Sequence, residues 1–320
     1  MSRIQQPLFV RHPSSPILRA SEWPYPAHSV FNPGATILPD GSTLLLCRVE
    51  DYTGRSHLTA ARSTNGVDSW VIDRAPTLAP DVGPHPEERW GLEDPRITWI
   101  PELGRYAVAY TAFGEAGPGV ALAITSDFQR FERCGLAMPP DDKDAALFPR
   151  RFGGRFAMLH RPTRDGTADI WISYSADLRG WGDPRVVLRA RRGGWWDTYK
   201  IGLATPPIET PRGWLVLYHG VRRTASGCLY RVGAALFDLE APERCLARGA
   251  SWIFGPEELY EIEGDVPRVV FPCGLTCADG ETLSLYYGAA DTCIGLARGS
   301  VSEILAWLAD PANASPPDEV

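Results

Sequence analysis

The sequence predicts an all-β protein, namely a five-bladed β-propeller with a short C-terminal helix. Glycine (31 residues) and proline (29 residues) punctuate short apolar runs, a pattern typical of strands separated by tight turns. Five segments also share one layout, in which a glycine turn is followed by an apolar strand, a polar or charged residue, and a second strand. Such internal repetition indicates blades arranged around a central channel.

The repeats begin near Gly41, Gly104, Gly154, Gly213 and Gly280. The glycines are roughly 50 to 70 residues apart, close to the roughly 40 to 50 expected for a propeller blade with insertions. The first strand of each repeat is continuously apolar, as expected for a strand that is buried on both faces. Because no linker separates two parts of the chain, we predict one propeller domain over residues 1–320.

Reactive side chains follow the apolar strand in every repeat. They are Arg48, Asp51, Thr111, His160, Arg161, His219 and Asp291. Radial repetition would bring them to one end of the channel, whereas the two sheets of a sandwich would scatter them. The C-terminal helix is predicted from Val301, with Ser302 as its cap and apolar residues at helical spacing.

Composition and charge exclude several classes of protein. The net charge is -7 without a basic stripe, which argues against a nucleic-acid partner. The N-terminus lacks the apolar core of a signal peptide, and no apolar stretch could span a membrane, so we predict a cytoplasmic protein. The seven cysteines fit reduced, buried thiols. Cys273 and Cys277 lack a second ligand pair nearby, so we expect no metal site.

The strongest local feature is the run WGLEDPR, from Trp90 to Arg96. Pro95 biases the preceding Asp94 toward an extended conformation, and we expect the charged residues to stand between an apolar strand and a tight turn. The alternative is a structural turn that an Asp94–Arg96 pair stabilises.

Cationic and aromatic residues accompany this run at the ends of other repeats. In an acidic protein, a concentration of Arg48, Arg55, Lys143, Arg161 and Lys200 predicts an anion site. Trp and Tyr rings beside carboxylates suit a sugar, which presents apolar faces and hydroxyl edges. Trp195 and Trp196 could form a platform for a sugar or could simply be core between blades.

With these motifs the chain resembles glycoside hydrolase family 130, the β-mannoside phosphorylases and related mannosidases. The resemblance runs from about Asn32 to about Arg298. It rests on FNPGA, LLLCRVED, GLEDPRIT, KDAALFP, LHRP, YKIG, GWLVLYHGV, GDVPRVVFP and YYGAADT, which occur in the family's order.

The resemblance implies a propeller with its active site in the central channel and an inverting reaction with one catalytic acid, Asp94. It implies that the acid passes its proton through a sugar hydroxyl. The residues matching the phosphate-binding positions are Arg161, Lys200, His219, Tyr230 and Lys143. Those matching the mannosyl contacts are Asn32, Arg48, Asp51, Arg55, Asp144 and Asp291.

The function predicted on this basis is phosphorolysis of a short β-1,4- or β-1,2-linked mannoside, which releases α-mannose 1-phosphate and an acceptor sugar. The partners expected are therefore a small oligosaccharide and inorganic phosphate as co-substrate, with no other cofactor; a homo-oligomer is left open. The alternatives are a β-mannoside hydrolase of the same fold and a non-catalytic glycan-binding propeller. Retention of Arg161, Lys200 and His219 favours phosphate over water, and Asp94 argues against a binding module.

Overall fold

The structure is a computed structural model that describes residues 7–164, 166–225 and 227–315. Its sheets form the five blades of a propeller, which confirms the predicted fold class. The chain enters through two short strands, β1 (Phe9–Arg11) and β2 (Leu18–Arg19), and a 3-10 turn at Ala20–Glu22.

Each blade has four principal antiparallel strands. Blade 1 contains β3 (Ser29–Ile37), β4 (Thr43–Glu50), β5 (Ser56–Ser63) and β6 (Val71–Ile72). Blade 2 contains β7 (Gly91–Ile100), β8 (Arg105–Gly114), β9 (Gly117–Thr125) and β10 (Glu132–Met138), after a 3-10 turn at Pro86–Glu88. Blade 3 contains β11 (Asp142–Leu147), β12 (Phe156–Arg164), β14 (Ile170–Ser175) and β15 (Trp181–Leu188), with the short β13 (Thr167–Ala168) beside β12.

Blade 4 contains β16 (Lys200–Leu203), β18 (Gly213–Thr224), β19 (Gly227–Phe237) and β20 (Cys245–Arg248), with β17 (Ile208–Thr210) beside β18. Blade 5 contains β21 (Val270–Thr276), β22 (Thr282–Ala289) and β23 (Cys293–Ser300), and β1 from the start of the chain supplies its fourth strand. The ring is therefore closed by pairing of the first strand with the last, at Phe9–Gly299.

Five hydrophobic clusters fill the interfaces between neighbouring blades in the described residues. Strand β4 shows why its sequence is continuously apolar. Leu44 and Leu46 pack toward blade 2, whereas Leu45 and Cys47 pack toward blade 5. Both faces of the strand are buried, as the sequence predicts.

The five repeat glycines mark the second strand of each blade rather than the first. Gly41, Gly104, Gly154, Gly213 and Gly280 all have positive φ, between 57° and 142°, and each lies at or just before β4, β8, β12, β18 or β22. Glycine adopts this conformation without steric cost, so it suits the turn that enters each strand. The innermost strands, β3, β7, β11, β16 and β21, precede these turns.

Helices are a minor part of the described chain. A single turn, α1 (Leu259–Ile262), leads into blade 5, and α2 (Val301–Ala309) packs on blades 4 and 5 before a 3-10 turn at Pro311–Asn313. The predicted cap is wrong by two residues: Ser300, not Ser302, accepts a hydrogen bond from the Glu303 backbone N–H. Neither α-helix in the described residues has the length and apolarity needed to cross a bilayer.

Candidate active site

A cavity of about 190 Å³ lies among the innermost strands. Nine of the twelve site residues predicted from the sequence line it, and their individual roles stay predictions. The lining comprises Asn32, Arg48, Asp94, Lys143, Arg161, Lys200, His219, Tyr230, Val266, Val269, Phe271 and Asp291.

A β-bulge in three innermost strands places a polar residue at the channel. Asn32, Asp94 and Asp144 have φ values of 45°, 50° and 56°, and the register of β3, β7 and β11 shifts at each of them. Among non-glycine residues, Asn and Asp tolerate this left-handed conformation best. A bulge also re-aims a side chain. Blades 1, 2 and 3 therefore use the same feature, a β-bulge at an Asn or Asp, to direct a polar side chain toward the channel.

The expectations for the WGLEDPR run need two corrections. Asp94 is not extended, and the charged residues lie within strand β7 rather than beside a turn. The bulge overrides the bias that Pro95 imposes on Asp94. Arg96 does not pair with the Asp94 carboxylate either; its Nη1 donates to the Asp94 backbone carbonyl at 2.9 Å. Arg96 also donates to the carbonyls of Leu203 and Ala204, and so ties blade 2 to blade 4 across the channel.

The half of the cavity around Asp94 is rich in paired charges, and we call it the sugar half (Asn32, Arg48, Asp94, Asp291). Asp94 Oδ1 accepts hydrogen bonds from Asn32 Nδ2 at 2.8 Å and from Arg48 Nη1 at 3.2 Å. Burial raises the pKa of Asp94, but the surrounding cations, Arg48 first, outweigh burial and hold the pKa below its ordinary value. Arg48 Nη2 also contacts Glu50 and Glu93, so its charge is fully matched by carboxylates.

Asp291 faces the opposite electrostatic situation. Burial first, and then the nearby carboxylate of Asp94, raise the pKa of Asp291 to about 7. Near neutral pH, Asp94 is therefore ionised and Asp291 is partly protonated.

The opposite side of the cavity, the cation half, consists of Lys143, Arg161, Lys200, His219 and Tyr230. The guanidinium of Arg161 makes two hydrogen bonds to Asp144 Oδ2, from Nε at 2.9 Å and Nη2 at 2.7 Å. Asp144 is 1% exposed and lies beneath the lining, where Arg96 Nη2 also approaches it at 3.4 Å. Burial raises the pKa of Asp144, but the charge of Arg161 and its neighbours holds it far below its ordinary value.

Three polar groups in the cation half have no hydrogen-bonding partner among the described residues. The ammonium groups of Lys143 and Lys200 make no hydrogen bond or ion pair there; Lys200 Nζ lies 5.4 Å from the centre of the Tyr230 ring. His219 Nε2 lies 3.4 Å from Asp144 Oδ2, but neither ring nitrogen of this buried side chain makes a hydrogen bond. Buried polar groups are normally hydrogen-bonded, so a buried imidazole without a hydrogen bond, beside two half-buried ammonium groups that also lack one, indicates a ligand.

The electrostatics of these groups follow from burial and mutual repulsion. Burial first, and then the charge of Arg161, lower the pKa of Lys200. Burial also lowers the pKa of His219 to about 3, so the imidazole is neutral and one ring nitrogen can donate a hydrogen bond. Its ring packs against Phe271 at 4.7 Å, and burial raises the pKa of Tyr230 to about 12. A bound anion would offset the repulsion that Arg161 exerts on Lys200 and His219.

Some predicted residues lie outside the lining. Asp51 and Arg55 are in the β4–β5 turn, where Asp51 Oδ1 accepts from the backbone N–H groups of Thr53 and Arg55. His160 is buried between Asp142 and Ser173, so it does not reach the cavity.

The two tryptophans also lie away from the cavity. Trp196 is buried and its ring stacks on that of Tyr218. The ring of Trp195 packs against the guanidinium of Arg191. The core alternative therefore describes Trp196.

Sequence reasoning missed the apolar lining (Val266, Val269 and Phe271) and the cross-channel role of Arg96. A compositional signal was also available: the chain has two lysines, Lys143 and Lys200, among 32 basic residues, and both line the cavity. Elsewhere the chain uses arginine. Within the described ranges no three His, Cys, Asp or Glu side chains are grouped as metal ligands would be, and the absence of a metal requirement stays a prediction.

Known proteins resemble this chain over most of its length. The Glyco_hydro_130 family model, described as beta-1,4-mannooligosaccharide phosphorylase, matches residues 5–310. A beta-1,4-mannooligosaccharide phosphorylase of Ruminococcus albus is 33% identical over 93% of this chain and 90% of its own length. A beta-1,2-mannobiose phosphorylase of Listeria innocua is 38% identical over 80% of this chain and 70% of its own length.

The solved structures agree with this relationship. The beta-1,2-mannobiose phosphorylase from Listeria innocua, in complex with beta-1,2-mannobiose, superimposes with a TM-score of 0.86 at 31% identity, covering 94% of this chain and 99% of the other. The family-model match and the relatives above 30% identity point to the same group of enzymes. The chain belongs to glycoside hydrolase family 130.

Proposed function

We propose that this protein catalyses inverting phosphorolysis of short β-mannosides, releasing α-mannose 1-phosphate and an acceptor sugar. The observation that carries the proposal is the concentration in one cavity with Asp94 of three groups that make no hydrogen bond, namely the ammonium groups of Lys143 and Lys200 and the imidazole of His219. Phosphate supplies the negative charge and acceptor oxygens that these groups lack. The named activities of the family relatives support the same reaction.

The division of the cavity matches what the reaction needs. The mannosyl unit would bind against Asn32, Arg48 and Asp291, and phosphate would bind in the cation half. A phosphate oxygen forms a bond to the anomeric carbon as the bond from that carbon to the leaving oxygen breaks. Asp94 supplies the proton that the leaving oxygen takes, through a sugar hydroxyl as the family resemblance implies. The step balances because the acceptor carries away the proton that Asp94 gives up, and the proton of hydrogenphosphate restores Asp94 to its protonated form.

Asp94 must hold a proton to act as an acid, although the cations around it lower its pKa. An anion bound in the cation half would offset the positive charge of Lys143, which also acts on Asp94. Phosphate binding would therefore raise the pKa of Asp94 and prepare it for proton transfer.

Hydrolysis is supported less well. An inverting hydrolase needs a second carboxylate that activates water on the face opposite the leaving group. Asp291 lies on the same side of the cavity as Asp94, and Asp144, in the cation half, is held by Arg161 and Arg96 beneath the lining. A glycan-binding module would have no use for unpaired lysines beside a buried carboxylate.

Location and cofactor are parts of the same proposal. We propose a cytoplasmic enzyme that needs phosphate as co-substrate and no metal. Free thiols on all seven cysteines fit a reducing compartment. A phosphorylated product also suits use within the cell.

The reverse reaction tests the proposal. The enzyme is incubated with α-mannose 1-phosphate and a panel of acceptors (mannose, glucose and N-acetylglucosamine), and phosphate release is measured. We expect release with at least one acceptor and a β-mannoside product. Release no faster than with the D94N variant, for every acceptor, would contradict the proposal.

A further inference from the structure

A buried carboxylate, that of Asp144, lies beneath the cation half without lining the cavity. It stands at the β-bulge of β11. A carboxylate at such a place needs cations and hydrogen bonds to compensate for its loss of hydration. The proposed reaction uses the groups that line the cavity and leaves Asp144 without a role.

Two arginines and a histidine surround this carboxylate. Its Oδ2 accepts hydrogen bonds from Nε and Nη2 of Arg161, at 2.9 and 2.7 Å, and His219 Nε2 lies 3.4 Å from the same oxygen. Arg96 Nη2 approaches Oδ1 at 3.4 Å. Arg161 belongs to β12, His219 to β18 and Arg96 to β7, so Asp144 contacts side chains from three different blades.

The pairing with Asp144 fixes the orientation of the Arg161 guanidinium. Because this group is planar and its five N–H donors have a fixed geometry, engaging one edge determines where the remaining donors point. The Nη1 group makes one contact among the described residues, a long one of 3.4 Å to Thr163 Oγ1. Arg161 lines the cavity, so the donors that Asp144 does not engage are available to an anion there.

The neighbouring strand leaves room for the carboxylate. A Cβ atom at Gly202 of β16 would lie 2.5 Å from Asp144 Oδ2 and 2.5 Å from His219 Cε1, closer than atoms can pack. A larger residue there would displace both groups. The glycine therefore permits the carboxylate and the imidazole to pack together at the base of the cation half.

Asp144 also offsets the repulsion among the cations above it. Burial first, and then the charge of Arg161, lower the pKa of Lys200, whereas the charge of Asp144 raises it. The same carboxylate opposes the effect of burial on the pKa of His219. Without it, Arg161 and Lys200 would repel each other more strongly, and Lys200 would lose its proton more readily.

We propose that Asp144 is the positioning residue of the phosphate site, which holds the Arg161 guanidinium in the orientation that binds phosphate and touches no substrate itself. This inference rests on the proposed function and moves Asp144 from the mannosyl contacts predicted from sequence to the phosphate side. Because Asp144 acts through Arg161, its loss should weaken the binding of phosphate and leave that of the mannoside nearly unchanged.

A double-mutant cycle tests this dependence, with inorganic phosphate and a β-mannobiose as substrates. Asp144→Asn removes the charge but keeps the shape and tolerates the left-handed backbone conformation. We expect its KM for phosphate to rise about ten-fold, with KM for the mannoside within about two-fold of wild type. In an Arg161→Ala background the same substitution should change KM for phosphate by less than about two-fold, because the group that Asp144 positions is gone.

Asp197→Asn is the matched control. Asp197 is equally buried and accepts hydrogen bonds from Nε and Nη2 of Arg191, both at 2.8 Å, but neither residue lines the cavity. Loss of a buried ion pair should lower the free energy of unfolding of both variants, as urea denaturation measures. We expect only Asp144→Asn to raise KM for phosphate.

Arg161→Lys keeps the inference testable if Asp144→Asn does not fold. Lysine keeps the positive charge but lacks the planar fork, so it cannot engage Asp144 with two donors and offer others to phosphate. We expect KM for phosphate of Arg161→Lys to approach that of Arg161→Ala.

The outcomes separate the two proposals. The positioning role would be overturned if Asp144→Asn left KM for phosphate unchanged, raised both KM values equally, or acted as strongly in the Arg161→Ala background. An equal rise in Asp197→Asn, or a nearly normal KM for phosphate in Arg161→Lys, would overturn it as well. All these results leave phosphorolysis intact, whereas wild-type cleavage that does not depend on phosphate would overturn the proposed function, and the positioning role with it.

Discussion

The two halves of the cavity use arginine and lysine in different ways. In the sugar half, Arg48 forms ion pairs with Glu50, Glu93 and Asp94, so carboxylates of the protein itself neutralise its charge. In the cation half, Lys143 and Lys200 make no hydrogen bond or ion pair with a carboxylate among the described residues. Cations that are paired with carboxylates fix the positions of side chains and shift the pKa values of their neighbours. Cations without such a partner can bind an anionic ligand. The contrast predicts which substitutions affect chemistry and which affect the binding of phosphate.

The largest effect is expected in the sugar half, at Asp94. Asp94→Asn keeps the left-handed backbone conformation, which Asn also tolerates, but cannot donate the acidic proton. General acid catalysis contributes roughly 10²- to 10⁴-fold, so we expect kcat to fall by at least that range. The measurement is kcat for a mannoside, with circular dichroism as the check of folding. A folded variant with nearly normal kcat would show that Asp94 is not the acid.

In the cation half, Lys200→Ala should weaken phosphate binding. Loss of a charge-assisted contact costs roughly 1.5 to 3 kcal/mol, which corresponds to about a ten- to hundredfold higher KM for phosphate. KM for the mannoside should change much less. Arg223→Ala is the control, because Arg223 is exposed and outside the cavity lining. Equal increases in KM for phosphate and KM for the mannoside would show that Lys200 does not act on phosphate binding in particular, which would contradict the assignment of the cation half.

The two lysines allow an independent measurement of the same half. They are the only lysines in the chain and both line the cavity, so an amine-directed reagent reports on the cation half and on the chain's N-terminus. We expect phosphate to slow labelling of Lys143 and Lys200, as followed by peptide mass spectrometry. Sulfate-free buffer with added chloride at equal ionic strength is the control. Labelling rates that phosphate leaves unchanged would argue against an anion site there.

A smaller effect, on stability, is expected from Asp291. Its folded pKa of about 7 lies above its ordinary value of 3.8, so its contribution to stability is complete at low pH and is lost as pH rises toward 7. The Asp291→Asn variant does not lose this stability, because asparagine does not ionise. The free energy of unfolding of the variant, relative to wild type, should therefore increase with pH between 4 and 7, by at most about 1.4 kcal/mol per pH unit.

Urea denaturation at several pH values measures this difference. Asp238→Asn is the control, because the hydrogen bond from Arg244 lowers the pKa of Asp238 to about 2, below the pH window. Its difference from wild type should be flat between pH 4 and 7. A flat difference for Asp291→Asn as well would show that Asp291 is ionised throughout.

The sequence predicted what depends on local pattern. Apolar strands such as β4, with glycine turns before them, were recognisable because burial on both faces leaves no alternation. Short motifs also identified nine residues that line the cavity. The innermost strands were not recognised as strands, because bulges at Asn32, Asp94 and Asp144 interrupt them with polar residues.

Contacts across the channel could not be predicted from local sequence patterns, because they join residues far apart in the chain. Arg96 bonds to the Leu203 carbonyl, 107 residues away in the chain, and no spacing rule predicts this contact. Asp51 and Arg55 were predicted as mannosyl contacts, and the structure places them in the β4–β5 turn, outside the cavity lining. A turn that ends a strand directs its side chains by its own hydrogen bonds rather than by the alternation of the strand.

The measurement that tests the central claim most directly is the initial rate of β-mannoside cleavage as a function of phosphate concentration, with the mannoside held at a high concentration. We predict that cleavage depends on phosphate, approaches zero when phosphate is omitted, and yields α-mannose 1-phosphate. A rate that is unchanged without phosphate and yields free mannose would contradict the assignment of the cation half to phosphate.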